Sequence, residues 1–231
     1  TFPIWNSVVV IFASLITGNS VIVKPHPKSV YPIAIVVSEI QNALNAKDMN
    51  VNVCQLAVDA SAHLITKSLA ENQLVKLIDY TGSSSFGNYV ESLKGKTTFT
   101  EKAGVNSVIL DSVLDLKPVV QNLAFAVSLY SGQMCTAPHN WGRPAEGIKQ
   151  GDTIIPYEEV KQALVDAIAG IANHPQMGPG TLGAIQNPAT VKRVHSIKDL
   201  DATVLLEPKA VANTEFPEAR TCSPIVIEVD A

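Results

Sequence analysis

Cys135 lies in a segment that could present a thiol to a bound ligand. The segment, residues 131–136 (SGQMCT), follows a long apolar run and contains small residues around the thiol. A cysteine thiolate is a nucleophile in covalent catalysis, and small neighbours let a ligand approach the backbone closely. Because a lone cysteine is more often a buried structural residue, other parts of the sequence must distinguish the two roles.

A second segment, residues 100–106 (TEKAGVN), contains Glu101 upstream of Cys135. The two segments together resemble the aldehyde dehydrogenase superfamily, whose base motif reads Glu-Leu-Gly-Gly-Lys and whose nucleophile motif reads Gly-Gln-x-Cys. The separation of Glu101 and Cys135 is the one that the family uses. The Phe2-Pro3 pair and residues 18–25 (GNSVIVKP) resemble two further family segments at the right interval.

The resemblance implies NAD(P)-dependent oxidation of an aldehyde to a carboxylic acid. The Cys135 thiolate would attack the aldehyde carbonyl, donors would hold the resulting oxyanion, and loss of hydride would leave an enzyme thioester. The resemblance gives Glu101 the role of the general base, which accepts a proton from the water that hydrolyses the thioester.

Residues 81–87 (TGSSSFG) and Lys24 are the candidate cofactor contacts. The resemblance places Gly82, Ser83 and Gly87 where the family's loop meets the pyrophosphate of NAD or NADP, since glycine lets N–H groups approach an anion. Without the resemblance, such a loop is more often an ordinary turn between a strand and a helix. Lys24 matches a family lysine that contacts the adenosine ribose, and is otherwise a surface lysine.

Pro27 and Lys28 bear on the choice between the two cofactors. Many NAD-preferring relatives carry a glutamate three residues after the lysine that matches Lys24, where it repels a 2′-phosphate; here Pro27 takes that position. Because Lys28 adds a nearby positive charge, we expect NADP to be accepted at least as well as NAD. The alternative is that Lys28 points to solvent and both cofactors bind alike.

Within the superfamily, the motifs look most like the phenylacetic acid degradation branch. That branch acts on an aldehyde derived from aromatic-ring cleavage and carried as a coenzyme A thioester. Four segments carry this likeness: residues 24–27, 101–106, 131–136 and 183–188. The resemblance also implies that the full-length protein is a homo-oligomer with a small-molecule aldehyde as its substrate.

Three positions depart from the family pattern. Thr1 aligns with the oxyanion-hole asparagine of most members, and losing one such donor commonly costs ~10² to 10³ in turnover unless the Thr1 hydroxyl replaces it. Arg220 aligns with a glutamate that holds the nicotinamide ribose, and Cys222 aligns with an aromatic residue. With these two substitutions, the sequence does not show which residues position the nicotinamide end of the cofactor.

Alternating helices and strands surround the candidate residues. Apolar patterning and helix-ending signals predict three helices and three strands in the first part of the chain. The helices are expected at residues 3–17, 30–46 and 60–71, and the strands at residues 20–24, 51–56 and 74–80. This alternation predicts βαβ units and a mostly parallel sheet, with ligands at the carboxyl ends of its strands.

The order of elements changes from residue 98 onward. A strand is predicted at residues 107–111 and helices at residues 116–130, 157–172 and 187–197, with residues 131–138 as a loop. We therefore expect an α/β protein with a partial Rossmann-type NAD(P)-binding domain at residues 1–100, followed by an α/β catalytic domain at residues 101–231. The chain begins with Thr and opens inside a structured segment, so we expect an internal fragment of a longer enzyme.

The composition excludes several classes of protein. Of 231 residues, 46% are hydrophobic and 16% charged, which is typical of a globular chain. A net charge of -4 argues against a nucleic-acid partner. Three cysteines without a CxxC pair indicate neither a disulfide framework nor a metal site, and favour the cytoplasm. The apolar run at residues 8–16 is too short to span a membrane.

Two alternative functions stay open. The first is a CoA-acylating aldehyde dehydrogenase or a related reductase of the same fold, in which coenzyme A rather than water takes the acyl group; Glu101 argues for hydrolysis. The second is a catalytically impaired homologue that acts as a binding or assembly module, which the departures at Thr1 and Arg220 would explain.

Overall fold

The computed structural model describes residues 2–229, with position 198 described by its backbone alone. The chain divides into two compact units, Thr1–Ala103 and Gly104–Ala231. The first unit alternates helices and strands in the order α1 (Pro3–Ile16), β1 (Val21–Val23), α2 (Val30–Asn45), β2 (Cys54–Leu56), α3 (Thr66–Glu71), β3 (Leu77–Thr81), α4 (Ser84–Glu91) and β4 (Thr97–Glu101).

The first unit contains two βαβ arrangements. Strand β2 pairs in parallel with β1 after the α2 crossover, and β4 pairs in parallel with β3 after α4. The predicted parallel pairing is therefore present, although as two separate strand pairs. In both pairs the carboxyl ends of the strands meet at one edge, which is where parallel sheets bind ligands.

Apolar side chains from α1, α2, β1 and β2 form the core of the first unit. Its buried members are Ile11, Val23, Ile33, Val37 and Cys54. Each Ile or Val removed from water in this way stabilises the fold by roughly 1.5–3 kcal/mol.

Three predicted elements of the first unit differ in the structure. Helix α3 begins at Thr66 instead of residue 60, because Asp59 accepts a hydrogen bond from the Ile65 backbone (3.1 Å) and holds residues 59–65 in an irregular turn. Residues 51–53 form a 3₁₀ turn ahead of β2. The predicted loop at residues 81–87 is mostly helical, since α4 starts at Ser84.

The second unit begins with short strands and a long helix. Its elements are β5 (Asn106–Ile109), β6 (Ser112–Val113), α5 (Leu116–Ser128), β7 (Pro138–Gly142), β8 (Ile148–Gln150), β9 (Thr153–Ile155), α6 (Tyr157–Asn173), α7 (Met177–Thr181), α8 (Pro188–Ser196), β10 (Thr203–Leu206) and β11 (Val226–Glu228). Strands β5 and β7 pair in parallel, as do β6 and β8, while β8–β9 and β10–β11 are antiparallel.

Helices α5 and α6 pack against each other and against the short strands to form the second core. Its fully or nearly fully buried side chains include Val120, Ile148, Val160 and Leu164. The sequence patterns predict α5, α6 and α8 closely. They miss β7 to β11 because these strands are short and some carry polar residues, as in residues 138–142 (PHNWG).

The length and apolar content of the helices bear on membrane insertion. Within residues 2–229, no helix has both the length and the apolar content needed to cross a membrane.

Candidate active site

Cys135 lies in a connection, residues 129–137, that we call the thiol loop. It joins α5 to β7, and α5 ends at Ser128 because the next residues turn the chain away from the helix. Tyr130, Ser131 and Gly132 all have positive φ angles, of 52°, 55° and 67°. Such a conformation costs a non-glycine residue on the order of 1–3 kcal/mol, so it persists only where surrounding contacts impose it.

Asn106, at the start of β5, supports one side of the thiol loop. Its side-chain amide donates hydrogen bonds to the backbone carbonyls of Cys135 (2.6 Å) and Ala137 (3.1 Å). Gly104 lies on the same side, and a Cβ atom there would come within 2.7 Å of the Cys135 carbonyl oxygen. The loop backbone and residues 104–106 are thus in close contact, and Gly104 permits this approach.

The other side of the thiol loop rests on residues 183–186, which connect α7 to α8. Ser131 donates from its hydroxyl to the Gly183 carbonyl (2.7 Å). The Gln133 side chain donates to the Ala184 carbonyl (3.2 Å) and accepts from the Gln186 backbone N–H (3.0 Å). These hydrogen bonds impose the positive φ angles on the loop.

Arg220 holds the same connection from its far side. The guanidinium donates to the Ile185 carbonyl (3.1 Å) and to the Gln186 carbonyl (3.3 Å), and the Ile185 N–H donates back to the Arg220 carbonyl (2.6 Å). The position that departs from the family pattern therefore belongs to the scaffold around the thiol loop.

The three cysteines differ in their access to solvent. Cys54 and Cys222 are buried, whereas Cys135 is exposed. Burial raises the pKa of the Cys54 thiol and that of the Cys222 thiol, because the apolar surroundings penalise the thiolate. Cys135 is therefore the thiol of this chain that a ligand in solution can reach.

Glu101 ends strand β4 in the first unit, and its side chain is exposed. It lies opposite Thr81 in the parallel register, and its carbonyl accepts a hydrogen bond from the Gly82 N–H (3.0 Å). Asp79 shares this face of the strand pair. Burial and then the charge of Glu101 raise the pKa of Asp79. The structure thus brings the predicted base and the predicted cofactor loop to one sheet edge.

Gly82 and Ser83 form a tight turn between β3 and α4. Ser83 caps the helix by accepting a hydrogen bond from the Phe86 N–H (3.4 Å), and none of the described residues in the first turn of α4 is acidic. A helix N-terminus with this composition favours an anion such as a pyrophosphate. The side chain of Tyr80 covers one side of Gly82, so that a Cβ atom at this position would collide with the Tyr80 hydroxyl.

Gly87 lies inside α4 and is buried, not in a loop as the sequence suggested. A Cβ atom at this position would come within 2.7 Å of the Lys102 side chain, whose ammonium forms an ion pair with Glu91 (2.8 Å). Packing against Lys102 is therefore a structural reason for glycine at this position.

Lys24 follows β1 at the carboxyl edge of the first strand pair. Its ammonium pairs with the buried carboxylate of Asp59 (2.8 Å) and donates to the Pro25 carbonyl (2.7 Å). Burial alone would raise the pKa of Asp59, but the hydrogen bonds from Lys24 and Ile65 and the charge of Lys24 lower it below the ordinary value. Most of the positive charge that Lys24 presents to a ligand is thereby neutralised.

Further features of the molecule lie apart from these residues. A surface groove of about 1130 Å³ runs beside α5 and α6, and none of the predicted site residues lines it. Among the described residues, no group of three His, Cys, Asp or Glu side chains is arranged to hold a metal ion. Thr1, the residue aligned with the oxyanion position, lies outside the described residues.

A comparison with protein-family models assigns the chain to a family. The model of the aldehyde dehydrogenase family matches residues 1–227. The chain belongs to the aldehyde dehydrogenase family. This membership confirms the predicted mixed α/β aldehyde dehydrogenase fold.

Two individual aldehyde dehydrogenases are similar to this chain over somewhat more than half of its length. A putative aldehyde dehydrogenase family 7 member A1 homolog from Caenorhabditis elegans is 31% identical over 136 residues, covering 57% of this chain and 24% of the relative. A lactaldehyde dehydrogenase from Methanocaldococcus jannaschii is 30% identical over 137 residues, covering 58% of this chain and 29% of the relative.

The crystal structure of an NAD-dependent aldehyde dehydrogenase from Burkholderia multivorans superposes with a TM-score of 0.88 and is 39% identical, covering 97% of this chain and 40% of that one. The chain thus spans less than half the length of these aldehyde dehydrogenases.

Several contacts of the candidate site residues in this aldehyde dehydrogenase chain escape prediction from sequence. Asn106 and Gln133 stand in the quoted motifs, but no pattern indicates that both hold the thiol loop. Asp59 gives no signal at all, because its partner Lys24 is distant in the sequence. The available signal for such a contact is a polar residue at the end of a quoted motif, and Asn106 is such a residue.

Proposed function

We propose that the full-length protein oxidises an aldehyde to a carboxylic acid with NAD or NADP, through a thioester on Cys135. The observation that carries this proposal is the exposed Cys135 on a loop whose strained backbone is fixed by hydrogen bonds on both sides. A nucleophile gains rate from being held in one geometry, whereas a structural cysteine gains nothing from exposure. Membership of the aldehyde dehydrogenase family supports the same chemistry.

In the proposed acylation step, the exposed Cys135 thiol gives up its proton to solvent and its sulfur attacks the aldehyde carbonyl. The carbonyl oxygen becomes an oxyanion, which positioned hydrogen-bond donors must stabilise. Asn106 does not act on the substrate, because its amide is engaged with the Cys135 and Ala137 carbonyls. Its part is to orient the backbone that carries the thiol.

In the proposed deacylation step, Glu101 accepts a proton from the water that attacks the thioester. The exposed carboxylate at the end of β4 is accessible to water, as this role requires. Cys135 then leaves as the thiolate and the carboxylic acid is released.

When bound, the nicotinamide cofactor would accept the aldehyde hydrogen as hydride, which would convert the oxyanion adduct on Cys135 into the thioester. The turn at Gly82 and Ser83 and the N-terminus of α4 are suited to its pyrophosphate, because N–H groups and the helix dipole favour an anion there. We assign Lys24 to the ribose and Gly87, inside α4, to the support of the cofactor site. For Gly87 this role is indirect, since its close packing against Lys102 fixes α4.

Two variants of the full-length protein test the proposal. Cys135→Ser should abolish hydride transfer, and Glu101→Gln should keep a single burst of reduced cofactor while steady turnover collapses. Cys222→Ser is the matched control, since that thiol is buried. Full activity of Cys135→Ser would refute the proposal, and an unchanged steady rate in Glu101→Gln would assign the base to another group.

We propose, from the motifs at residues 24–27, 101–106, 131–136 and 183–188, that the substrate belongs to phenylacetate catabolism. The aldehyde would then be a ring-cleavage product carried as a coenzyme A thioester. A screen should show kcat/KM at least tenfold higher for such a thioester-linked aldehyde than for lactaldehyde or benzaldehyde. Comparable values for all three would refute this assignment, and acyl-CoA in place of free acid would indicate the CoA-acylating alternative.

The oligomeric state and the compartment are proposals of the same kind. The resemblance to aldehyde dehydrogenases supports a homo-oligomer, and three free cysteines support a reducing cytoplasm. Light scattering of the full-length protein tests the first, and fractionation of the producing cell tests the second.

A further inference from the structure

We infer that Arg220 is a positioning residue for the thiol: it fixes residues 183–186, and these residues fix the thiol loop. The inference rests on the proposed role of Cys135. Its basis is a continuous chain of hydrogen bonds from the guanidinium through Gln186 to Gln133, two residues before Cys135.

The thiol loop needs such support because its own backbone disfavours the observed conformation. Tyr130 and Ser131 are non-glycine residues in the left-handed region. Ser131 and Gln133 compensate by binding the carbonyls of Gly183 and Ala184. If residues 183–186 shifted, the loop would lose these partners, and the strain would move Cys135 away from its present position.

Residues 183–186 do not hold themselves in place, because they lie between α7 and α8 without regular structure. Ile185 is buried (1% exposed) and anchors the segment by its side chain. The backbone carbonyls divide into two pairs: those of Gly183 and Ala184 accept from the thiol loop, and those of Ile185 and Gln186 accept from Arg220.

Arginine suits this position for a chemical reason. Its planar guanidinium has five N–H donors in a fixed fork and can bind two neighbouring carbonyls at once. A glutamate has only acceptors when ionised, so it would be repelled by the same two carbonyls. The departure from the family pattern at position 220 thus replaces a residue assigned to cofactor binding with one that braces the site.

The backbone segment that follows Arg220 is itself held in place. The next three residues, Thr221, Cys222 and Ser223, are buried, at 9%, 5% and 2% exposure. The hydroxyl of Ser223 accepts from the Lys209 N–H (2.9 Å), and that of Thr221 accepts from the Val211 N–H (3.0 Å). Because its backbone is anchored in this way, Arg220 can hold residues 183–186 in one position.

The test uses Arg220→Ala, Arg220→Lys, Gln133→Ala and the double variant Arg220→Ala with Gln133→Ala in the full-length protein. We expect Arg220→Ala to lower kcat and the alkylation rate of Cys135 by about 10- to 100-fold, with less than a threefold change in KM for the cofactor. Arg220→Lys should restore part of both rates. The double variant should be little slower than the slower single variant, because both residues act through one chain of contacts.

Arg193→Ala is the matched control, since that arginine lies on α8 and its guanidinium donates to Thr190 of the same helix (2.9 Å); it should retain normal rates. A rise of tenfold or more in cofactor KM with unchanged alkylation would overturn the inference and make Arg220 a cofactor contact. Additive losses in the double variant would also overturn it. If Arg220→Ala exposes Cys222 to alkylation, and is therefore misfolded, the rates of Arg220→Lys and Gln133→Ala distinguish the two roles in its place. Activity in Cys135→Ser would instead refute the proposed function.

Discussion

The side-chain amide of Asn106 donates to the backbone carbonyl of Cys135 over 2.6 Å, and a second hydrogen bond reaches Ala137. Strand β5 therefore holds the backbone of Cys135 through Asn106, and the thiol side chain of Cys135 stays exposed. Arg220 and Asn106 act on opposite sides of the same loop, so their removal should have separable effects.

Replacing Asn106 by alanine should loosen the thiol loop without unfolding the unit. Two carbonyls lose their donor, which costs roughly 1–2 kcal/mol of stability because water replaces the lost bonds only in part. Hydrogen exchange at residues 133–137 should accelerate, and kcat/KM should fall about tenfold or more. Asn140→Ala, an exposed asparagine on β7, is the control. Unchanged exchange in the Asn106 variant would contradict the role given to this amide.

Alkylation at neutral pH should modify Cys135 and leave Cys54 and Cys222 intact. The pKa values of the two buried thiols are raised by burial, so both remain protonated as well as inaccessible. An aldehyde together with oxidised cofactor should protect Cys135. Peptide mapping by mass spectrometry checks this, and protection of Cys54 or Cys222 in its place would be inconsistent with the assignment.

Lys28→Ala should lower kcat/KM for NADP about fivefold and leave the value for NAD unchanged. The reason is that Asp59 already neutralises Lys24, so Lys28 is the lysine that we expect to attract a 2′-phosphate. An exposed ammonium near a phosphate contributes on the order of 1 kcal/mol. Lys47→Ala, beyond the far end of α2, controls for net charge. A wild-type protein with a strong preference for NAD would remove the argument.

Asp59→Asn should destabilise the full-length protein at neutral pH, by roughly 1–3 kcal/mol. A fully buried broken ion pair costs ~3–5 kcal/mol, but Lys24 is 15% exposed and keeps some hydration. Urea unfolding of this variant and of Asp48→Asn, which also removes one negative charge from the first unit, measures the difference.

The same pair predicts a pH dependence. Because the pKa of Asp59 is lower in the folded than in the unfolded protein, its contribution to stability is present above the ordinary value near ~4. It is lost as the pH falls through the folded-state pKa. The stability difference between wild type and Asp59→Asn should therefore shrink on acidification below pH ~4, and a difference that is constant down to pH ~2 would contradict the pairing.

The sequence by itself determined the family and most of the longer helices. The motifs around Cys135 and Glu101 predicted the family that the whole-chain comparison shows, and apolar periodicity placed α1, α2, α5 and α6 within one or two residues. The helices can be predicted from the sequence because a helix depends on contacts between residues three and four positions apart, which are close together in the sequence.

The tertiary structure alone decided how the candidate residues are held. The pairing of Lys24 with Asp59 and the packing of Gly87 on Lys102 join residues far apart in sequence, and so does the bracing of the thiol loop by Arg220. No local pattern encodes such contacts, since each forms only when the intervening helices and strands have packed. For the same reason residues 59–65 are irregular despite a helical pattern: the buried carboxylate of Asp59 gains more from Lys24 and the Ile65 N–H than a further helical turn would supply.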